Sequence, residues 1–489
     1  MKSLVIGMDG VSKKVFQRGW TPFIEKLKLK GDEIYLTNDC ISRGWSELVL
    51  GEHAINSGAT YDRPMSNLSY EWTMDWSYDW SIKHNPKLKK LWTILSENGV
   101  SVGVMNVPGV KHAEIVNGFI VTGGGGGRVP ISKPEMKDIY PQEDFEILKK
   151  NRYILDERFK SLLSDDGSIN PVEFFARLTE DNRRRTNSFE ELSIKHQIDF
   201  GLLIYKSTFA LSEIVLAPEL FRKENNFPFN AQIIESAKTF YIKSDEFISR
   251  LVDHLNPEIL HIVSDHGFTN RTNSVDVNLA LQNAGYQSKS LVNSLGKNLT
   301  GRIVRFIPFK LRQKIKELIT SKKGKAIRVE DLNVFDSDKT VAFAKCYGEK
   351  IGIYVNDAKR FGGVVDFCDI KDTASQIASV INKSLLQDSH LSLKSRILRK
   401  QDISMYFPDI LIDAEDGCFF TDGLSEIIEK FSLLNKSDGL EAPYNGENIV
   451  VKSGNPYYLR YSKRKKYTSD KKNITNLVDV NKAILKDFL

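Results

Sequence analysis

The sequence predicts an α/β fold with a mostly parallel central sheet and helices on both faces. Short runs of apolar residues recur at 3–8, 199–205 and 259–263, and each is nearly uninterrupted, as in a strand buried on both faces. Over residues 1–125 such runs alternate with segments of helical periodicity. This alternation is typical of a parallel sheet that helices cover on both sides.

The expected elements follow in chain order. The first part of the chain predicts a strand at 3–8, a helix near 21–30, a strand at 33–37, a helix after 42, a helix at 88–98 and a strand at 101–106. The second part predicts a charged helix near 170–195, a strand at 199–205, a long helix at 233–255 and the strand at 259–263. The sheet pattern returns at Val341 and at 352–356.

A basic segment interrupts this pattern after residue 286. It contains a stretch of helical periodicity at 311–319 and resembles an insertion more than a part of the sheet. We therefore expect one α/β core domain formed by residues 1–286 and 331–489. Residues 287–330 are expected to form a basic helical insertion or cap.

The composition is that of a globular protein. The 489 residues include 41% hydrophobic and 27% charged residues, which are ordinary proportions and do not indicate disorder. No stretch approaches the roughly 20 apolar residues that cross a bilayer, and Met1-Lys2-Ser3 leads directly into the first strand rather than into a signal segment. Four scattered cysteines show neither paired spacing nor the density of a disulfide-rich domain. We expect a cytoplasmic protein with reduced cysteines.

Positive charge is concentrated in two segments, although the net charge is only +6. Lysine and arginine are frequent at 297–328 and again at 460–472. Such patches can attract an anionic substrate, a nucleic acid or a membrane surface, but most charge runs are simply solvated faces. We expect a small substrate that carries phosphate or sulfate, and we do not expect nucleic acid as a partner.

Three residues with metal-binding side chains stand at the ends of two predicted strands. The first strand leads into Asp9 in a glycine-flanked turn, and the strand at 259–263 leads into Asp265 and His266. Open α/β sheets place their chemistry at the carboxyl ends of parallel strands. Carboxylate oxygens and imidazole nitrogens are ligands for divalent cations. His261, by contrast, lies inside an apolar strand and is expected to be a core histidine.

These motifs, in this order, resemble those of a known enzyme family. A strand running into Asp9-Gly10, followed much later by Ser264-Asp-His-Gly-Phe268, is similar to the type I phosphodiesterase/nucleotide pyrophosphatase family of the alkaline phosphatase superfamily. Further segments match family helices and strands in family order, at 91–108, 117–124, 275–286, 336–343 and 351–356. The resemblance covers most of the chain. It implies an alkaline-phosphatase-like α/β fold and metal-dependent hydrolysis of phosphodiester or pyrophosphate bonds.

The resemblance further implies that Asp9, Asp265 and His266 hold one of two divalent cations, usually zinc. Phosphoryl transfer depends on positioning and charge neutralisation, so such an enzyme needs bound cations and a nucleophile that faces them. The alternative interpretation is that Asp9 caps a turn, and that Asp265 and His266 form a buried hydrogen-bonded pair.

The family's second cation has no complete ligand set in this sequence. The family supplies an Asp and, four residues later, a His after the strand that here ends at Tyr205, where this chain has Phe209 and Glu213. A further family His near the chain end is replaced by Ala442, next to Glu441. Glu213 and Glu441 are candidate oxygen ligands. Acidic ligands alone suit magnesium, manganese or calcium better than zinc.

The nucleophile also differs from the family pattern. Aligning Trp45 with the Trp of the family's helix places Ile41 at the position of the reactive threonine, and isoleucine cannot attack phosphorus. Ser42 and Cys40 are the neighbouring candidates, near a helix amino terminus that favours an oxyanion or thiolate. The alternatives are a helix cap for Ser42 and a small buried hydrophobe for Cys40. Arg43 is either a clamp for a phosphate or sulfate oxygen or a solvated arginine.

Three functions are compatible with these residues. The first is a metal-dependent hydrolase of phosphodiester or pyrophosphate bonds that uses a nucleophile within 40–42. The second is a one-cation transferase or esterase that acts on an anionic sugar or surface-polysaccharide precursor. The third is a catalytically silent binding or scaffold protein, which Phe209, Ala442 and Ile41 favour. Two bound cations would favour the first function, one the second and none the third.

Overall fold

The computed structural model describes most of the chain. The described residues are 1–37, 44–60, 63–64, 68, 70, 72–73, 78–123, 133–155, 169–208, 214–289, 335–347, 350–386, 393–398, 407–431, 450–464 and 473–489. The strands within them are β1 Ser3–Met8, β2 Asp32–Tyr35, β3 Arg63–Pro64, β4 Trp72–Thr73, β5 Val102–Val107, β6 Gly118–Thr122, β7 Ile139–Tyr140, β8 Phe200–Tyr205, β9 Ile259–Val263, β10 Gly267–Asn270, β11 Asn273–Val275, β12 Ala342–Tyr347, β13 Lys350–Val355, β14 Lys394–Ile397, β15 Ile410–Asp413, β16 Cys418–Phe420, β17 Ile428–Lys430, β18 Val450–Ser453 and β19 Tyr457–Ser462. The α-helices are α1 Pro22–Lys28, α2 Gly44–Leu50, α3 Ala54–Ser57, α4 Tyr78–His84, α5 Leu91–Glu97, α6 Phe145–Lys150, α7 Pro171–His196, α8 Ile214–Glu224, α9 Ala231–Leu255, α10 Val277–Asn283, α11 Ile370–Leu386 and α12 Leu477–Lys486.

The central sheet has the order β2-β19-β9-β1-β8-β5-β6-β7 within the described ranges. The five inner strands, β9, β1, β8, β5 and β6, are parallel to one another. At one edge β19 runs antiparallel to both β9 and β2, and at the other edge β7 runs antiparallel to β6. The first strand of the chain therefore lies in the middle of the sheet, between two strands that come about 200 and 260 residues later in the sequence.

Helices bury both faces of this sheet. Along β1, Leu4 and Ile6 point into an apolar cluster formed with α1, α7, α8 and α9, whereas Val5 points into a second cluster formed with α2, α5 and α12. A strand with two buried faces is apolar at every position, which is why the run at 3–8 shows no polar alternation. The predicted α/β fold class, with a mostly parallel sheet between two helical layers, is confirmed.

A second sheet occupies the carboxyl-terminal half of the chain. It is antiparallel, with the order β12-β13-β15-β14. With α10 and α11 it surrounds a separate apolar cluster that includes Val277, Ile353 and Ile377. Two smaller sheets, β10-β18 and β16-β11-β17, pair strands that follow β9 in the chain with strands that follow β15.

The observed elements agree with the sequence patterns that were long and strongly periodic. The expected helix at 233–255 is α9, which begins at Ala231 and ends at Leu255. The expected insertion at 287–330 lies outside the described residues from 290 onward, so the proposed division into domains stays a prediction. Among the helices of the described ranges, none is both long enough and apolar enough to cross a bilayer.

Candidate metal centre

The register of the central sheet brings Asp9 and Asp265 side by side. β1 and β9 are parallel neighbours, with Gly7 opposite Val263. The same offset, continued two residues beyond this pair, places Asp9 opposite Asp265. The chain turns here at Gly10, which has a φ of +66° and whose amide donates a hydrogen bond of 3.0 Å to Asp265 Oδ1. The amide of Gly10 thus holds the carboxylate of Asp265, and the turn at Gly10 positions the carboxylate of Asp9.

His266 completes a compact group of ligand atoms. One ligand atom from each of Asp9, Asp265 and His266 lies within 4.8 Å of the others, and the three residues are only 5–7% exposed. The His266 Nδ1 atom lies 3.2 Å from the carbonyl oxygen of Gly267, which can only accept a hydrogen bond. In the neutral ring Nδ1 therefore carries the proton, and Nε2, 3.8 Å from Asp265 Oδ2, presents its lone pair.

Neighbouring elements hold the turn that carries Asp9. β8 lies beside β1 and continues into Thr208, whose hydroxyl lies 2.9 Å from the carbonyl oxygen of Asp9 and 2.7 Å from that of Tyr205. The ring of Trp45 on α2 packs so closely on Gly7 of β1 that a Cβ at Gly7 would lie 2.6 Å from the ring. The turn is thus fixed both by a hydrogen bond and by packing.

The start of α2 lies directly against Asp265. A Cβ at Gly44 would lie 2.5 Å from the carbonyl oxygen of Asp265 and 2.7 Å from its Cβ, so only glycine fits between the helix and the end of β9. On the other side of the site, Gly267 approaches Ser12, and a Cβ there would lie 3.2 Å from the Ser12 Cα. Two glycines therefore allow backbone segments to close around the candidate ligands.

Burial makes this group of charges unfavourable without a cation. Burial raises the pKa of Asp9 well above its ordinary value, and the nearby Asp265 carboxylate raises it further. Burial lowers the pKa of His266 to about 4, an effect that Asp265 opposes and Lys452 strengthens. A neutral imidazole and two carboxylates that share a small buried volume form a donor set that a divalent cation would stabilise. The three residues therefore fit a metal ion.

The other predicted site residues lie outside the described residues. Cys40, Ser42 and Arg43 precede Gly44 in the chain, and Glu213 follows Thr208 by five positions. Of the four predicted metal ligands, the structure thus brings together Asp9, Asp265 and His266. The assignments of the nucleophile, the anion clamp and the ligands of a second cation stay predictions. The same holds for the residues at 209, 441 and 442 that depart from the family pattern.

Lys452 lies near the candidate ligands, although no pattern in the sequence indicates it. β18 pairs antiparallel with β10, the strand that follows His266, and Lys452 stands opposite Phe268. The charge of Lys452 lowers the pKa of both Asp9 and His266. A lysine in a short edge strand carries no functional signal by itself, because edge strands commonly contain lysine. Only the pairing of segments nearly 200 residues apart shows where it lies.

The buried histidine of β9 is part of the core, as its position in an apolar strand predicts. His261 is fully buried, and its Nδ1 atom lies 2.9 Å from the hydroxyl of Tyr458 on β19. The two rings stack with centroids 5.9 Å apart. Burial lowers the pKa of His261 to about 3, and the charge of Arg460 is a smaller cause in the same direction. It is therefore neutral in the folded protein at ordinary pH.

Comparison with known proteins returns only remote similarity. No protein-family model and no curated protein matches this sequence. Among solved structures, phosphonoacetate hydrolase from Sinorhizobium meliloti 1021 in complex with phosphonoformate matches at 10% sequence identity and a TM-score of 0.46, over 100% of this chain and 95% of that chain.

Two mammalian structures match to a similar degree. Murine ectonucleotide pyrophosphatase/phosphodiesterase 5, an inactive variant in complex with AMP, matches at 11% identity and a TM-score of 0.46, over 100% of this chain and 94% of that chain. The human protein of the same name matches at 12% identity and a TM-score of 0.46, over 99% and 94% of the two chains. These identities and TM-scores do not establish a family or an activity for this chain.

Proposed function

We propose that this protein is a divalent-metal-dependent hydrolase of phosphodiester or pyrophosphate bonds. The observation that carries the proposal is the buried group of Asp9, Asp265 and His266, whose ligand atoms lie within 4.8 Å of one another at the carboxyl ends of adjacent parallel strands. Ligand sites of open α/β sheets are found at this edge. Zinc, manganese and magnesium are the candidate ions, because the donor set combines two carboxylates with one imidazole.

The bound ion would neutralise charge on the substrate and polarise its phosphorus-oxygen bonds. Asp9 and Asp265 would hold the ion through carboxylate oxygens, and His266 through Nε2. The Gly10 amide keeps Asp265 Oδ1 oriented, and the Gly267 carbonyl keeps the imidazole in the tautomer that can bind a cation. The residues around the ligands thus favour one arrangement of the site.

The chain segment before Gly44 is our proposed source of the nucleophile. Gly44 touches Asp265, and Arg43, Ser42 and Cys40 are its nearest predecessors with reactive or charged side chains. Ser42 and Cys40 are the two candidate nucleophiles, and Arg43 is the candidate clamp for a substrate oxygen. Activities of Ser42→Ala and Cys40→Ala measured separately would identify which of the two is required.

Glu213 is our candidate ligand for a second cation. It follows Thr208, the residue whose hydroxyl lies 2.9 Å from the Asp9 carbonyl oxygen. The number of cations bound by the purified protein distinguishes the functions: two support the hydrolase with the family's full complement. A single cation supports a hydrolase whose transition state is stabilised by one cation instead of two. It also supports a transferase or esterase for an anionic sugar or surface-polysaccharide precursor.

Elemental analysis and turnover of bis(4-nitrophenyl) phosphate test the proposal together. The wild-type protein is expected to bind at least one equivalent of a divalent cation and to lose turnover on treatment with a chelator. Asp265→Asn is expected to lose that equivalent and to reduce turnover by at least about 100-fold. Asp253→Asn, which alters an exposed carboxylate on α9, is the matched control. A wild-type protein that binds no cation and hydrolyses neither this diester nor a nucleotide sugar would refute the proposal.

A further inference from the structure

The β10-β18 ribbon directs a lysine toward the candidate metal centre. Lys452 on β18 lies directly opposite Phe268 on β10. Directly opposed side chains of an antiparallel pair lie on the same face of the ribbon. His266 precedes Phe268 by two residues, and their rings meet edge to face with centroids 5.6 Å apart. The side chain of Lys452 therefore lies on the same face of the ribbon as Phe268, whose ring contacts His266.

Lys452 is half-buried on this ribbon, so its charge is only partly screened by solvent. A long lysine side chain on the face that carries Phe268 can reach an anion bound beside the His266 ring.

We propose that Lys452 is a positively charged anchor of this site, which binds an oxygen of the substrate's phosphate or sulfate group beside the metal ion held by Asp9, Asp265 and His266. The inference rests on the function proposed above and extends it by naming a residue that contacts the anionic group. A lysine ammonium is a compact charge with three donors, which suits a tetrahedral oxyanion. The ammonium group stands at the end of a long, flexible side chain, so it can follow the oxyanion during the reaction.

The charges of the described site residues indicate the class of substrate. When a divalent cation holds both carboxylates in their ionised form, two carboxylates, one ammonium and the cation together carry one net positive charge. A phosphodiester or a sulfate ester carries one negative charge and would neutralise the site. Without Lys452 the same site with one cation would be neutral and would have no electrostatic preference for an anion. The lysine thus favours a monoanionic ester.

Two affinities measured on the same variants test this role. Lys452→Met keeps an unbranched apolar stem and removes the charge, Lys452→Arg keeps the charge, and Lys430→Met removes a lysine charge from an exposed position on β17 as the matched control. Calorimetry would give the affinity of the metal-free protein for Mn²⁺, and then the affinity of the Mn²⁺-loaded protein for inorganic phosphate. Thermal unfolding of each variant would verify that it is folded, with Lys452→Gln as the replacement if the methionine variant is not.

The expected effects on the two affinities have opposite signs. Lys452→Met should bind Mn²⁺ about tenfold more tightly, because a repelling charge is gone, and phosphate about tenfold more weakly. A purely structural role of Lys452 would weaken both. Lys452→Arg and Lys430→Met should retain both affinities.

Equal phosphate affinity of Lys452→Met and the wild type would overturn the role of Lys452 while leaving the metal centre intact. A wild-type protein that binds no Mn²⁺ would overturn the metal centre, and the role of Lys452 with it.

Discussion

Replacing His261 by asparagine is expected to make the protein less sensitive to mild acid. His261 is fully buried in β9, which lies between β19 and β1 in the central sheet. Burial lowers its pKa to about 3 from an ordinary value of 6.5. The folded protein holds the imidazole neutral, whereas the unfolded chain protonates it below pH 6.5. Because the unfolded state then binds more protons than the folded state, the free energy of unfolding falls as the pH drops through 6.5.

The size of the effect follows from the two pKa values. At pH 5 the unfolded chain gains about 2 kcal/mol from protonation of this one histidine, and the folded protein gains almost nothing. His261→Asn removes this proton-binding group and keeps a polar atom near the position of Nδ1, where the hydroxyl of Tyr458 needs a partner. The variant loses ring packing and is expected to be less stable at pH 7 by about 1–3 kcal/mol. Between pH 7 and 5 it should then lose about 2 kcal/mol less than the wild type.

Urea unfolding at the two pH values, followed by circular dichroism, measures this difference. A chelator in all samples keeps metal ions away from His266, whose own titration is common to all variants and cancels in the comparison. Tyr458→Phe is the control, because it breaks the same hydrogen bond and leaves the imidazole in place. It should keep the full pH dependence of the wild type. Equal losses of stability in His261→Asn and the wild type between pH 7 and 5 would refute the reasoning.

Three further substitutions test other parts of the structure. Gly44→Ala should weaken cation binding by at least about tenfold in a metal titration, because the new Cβ would lie 2.5 Å from the Asp265 carbonyl oxygen. Asp245 accepts hydrogen bonds from the first amides of α1, and burial raises its pKa to about 6, so its ionisation costs stability as the pH rises from 4 to 7. In urea titrations the wild type should therefore lose up to about 3 kcal/mol in free energy of unfolding between pH 4 and 7 through this group. Asp245→Asn should not show this loss. Arg360→Met should lower the free energy of unfolding by about 3–5 kcal/mol in chemical denaturation. The substitution leaves the buried carboxylates of Asp357 and Asp409 without their counter-charge.

Local patterns in the sequence were sufficient to predict five strands of the central sheet, β1, β2, β5, β8 and β9, and to name three candidate ligands at its carboxyl edge. A strand buried on both faces must be apolar throughout, so β1 and β9 are visible without any knowledge of their partners. Polar residues that follow such strands directly lie at the carboxyl edge of the sheet, which is why Asp9 and Asp265 could be paired before their register was known. His261 could be assigned to the core for the same reason, since it lies inside a continuous apolar run.

Features that depend on long-range pairing could not be predicted. Lys452 lies near the site because β18 pairs with β10, and nothing within a short window around residue 452 indicates that partner. The antiparallel position of β19 between β2 and β9 likewise joins segments from both ends of the chain. The close approach of Gly44 to Asp265 depends on tertiary packing of α2, whereas its sequence shows only a glycine near a helix start. In each case the deciding contact is distant in sequence, where periodicity carries no information.

The central position of β1 determines when this protein can begin to fold during its synthesis. Its two neighbours, β8 and β9, end at Tyr205 and Val263, so the amino-terminal segment leaves the ribosome long before either partner exists. At ordinary translation rates the interval before β9 is complete is roughly 10 to 50 s. Throughout this time an apolar segment built for complete burial is exposed to other nascent chains, so chaperone capture of residues 3–8 and abrupt acquisition of protease resistance once residue 263 has emerged are the expected signatures.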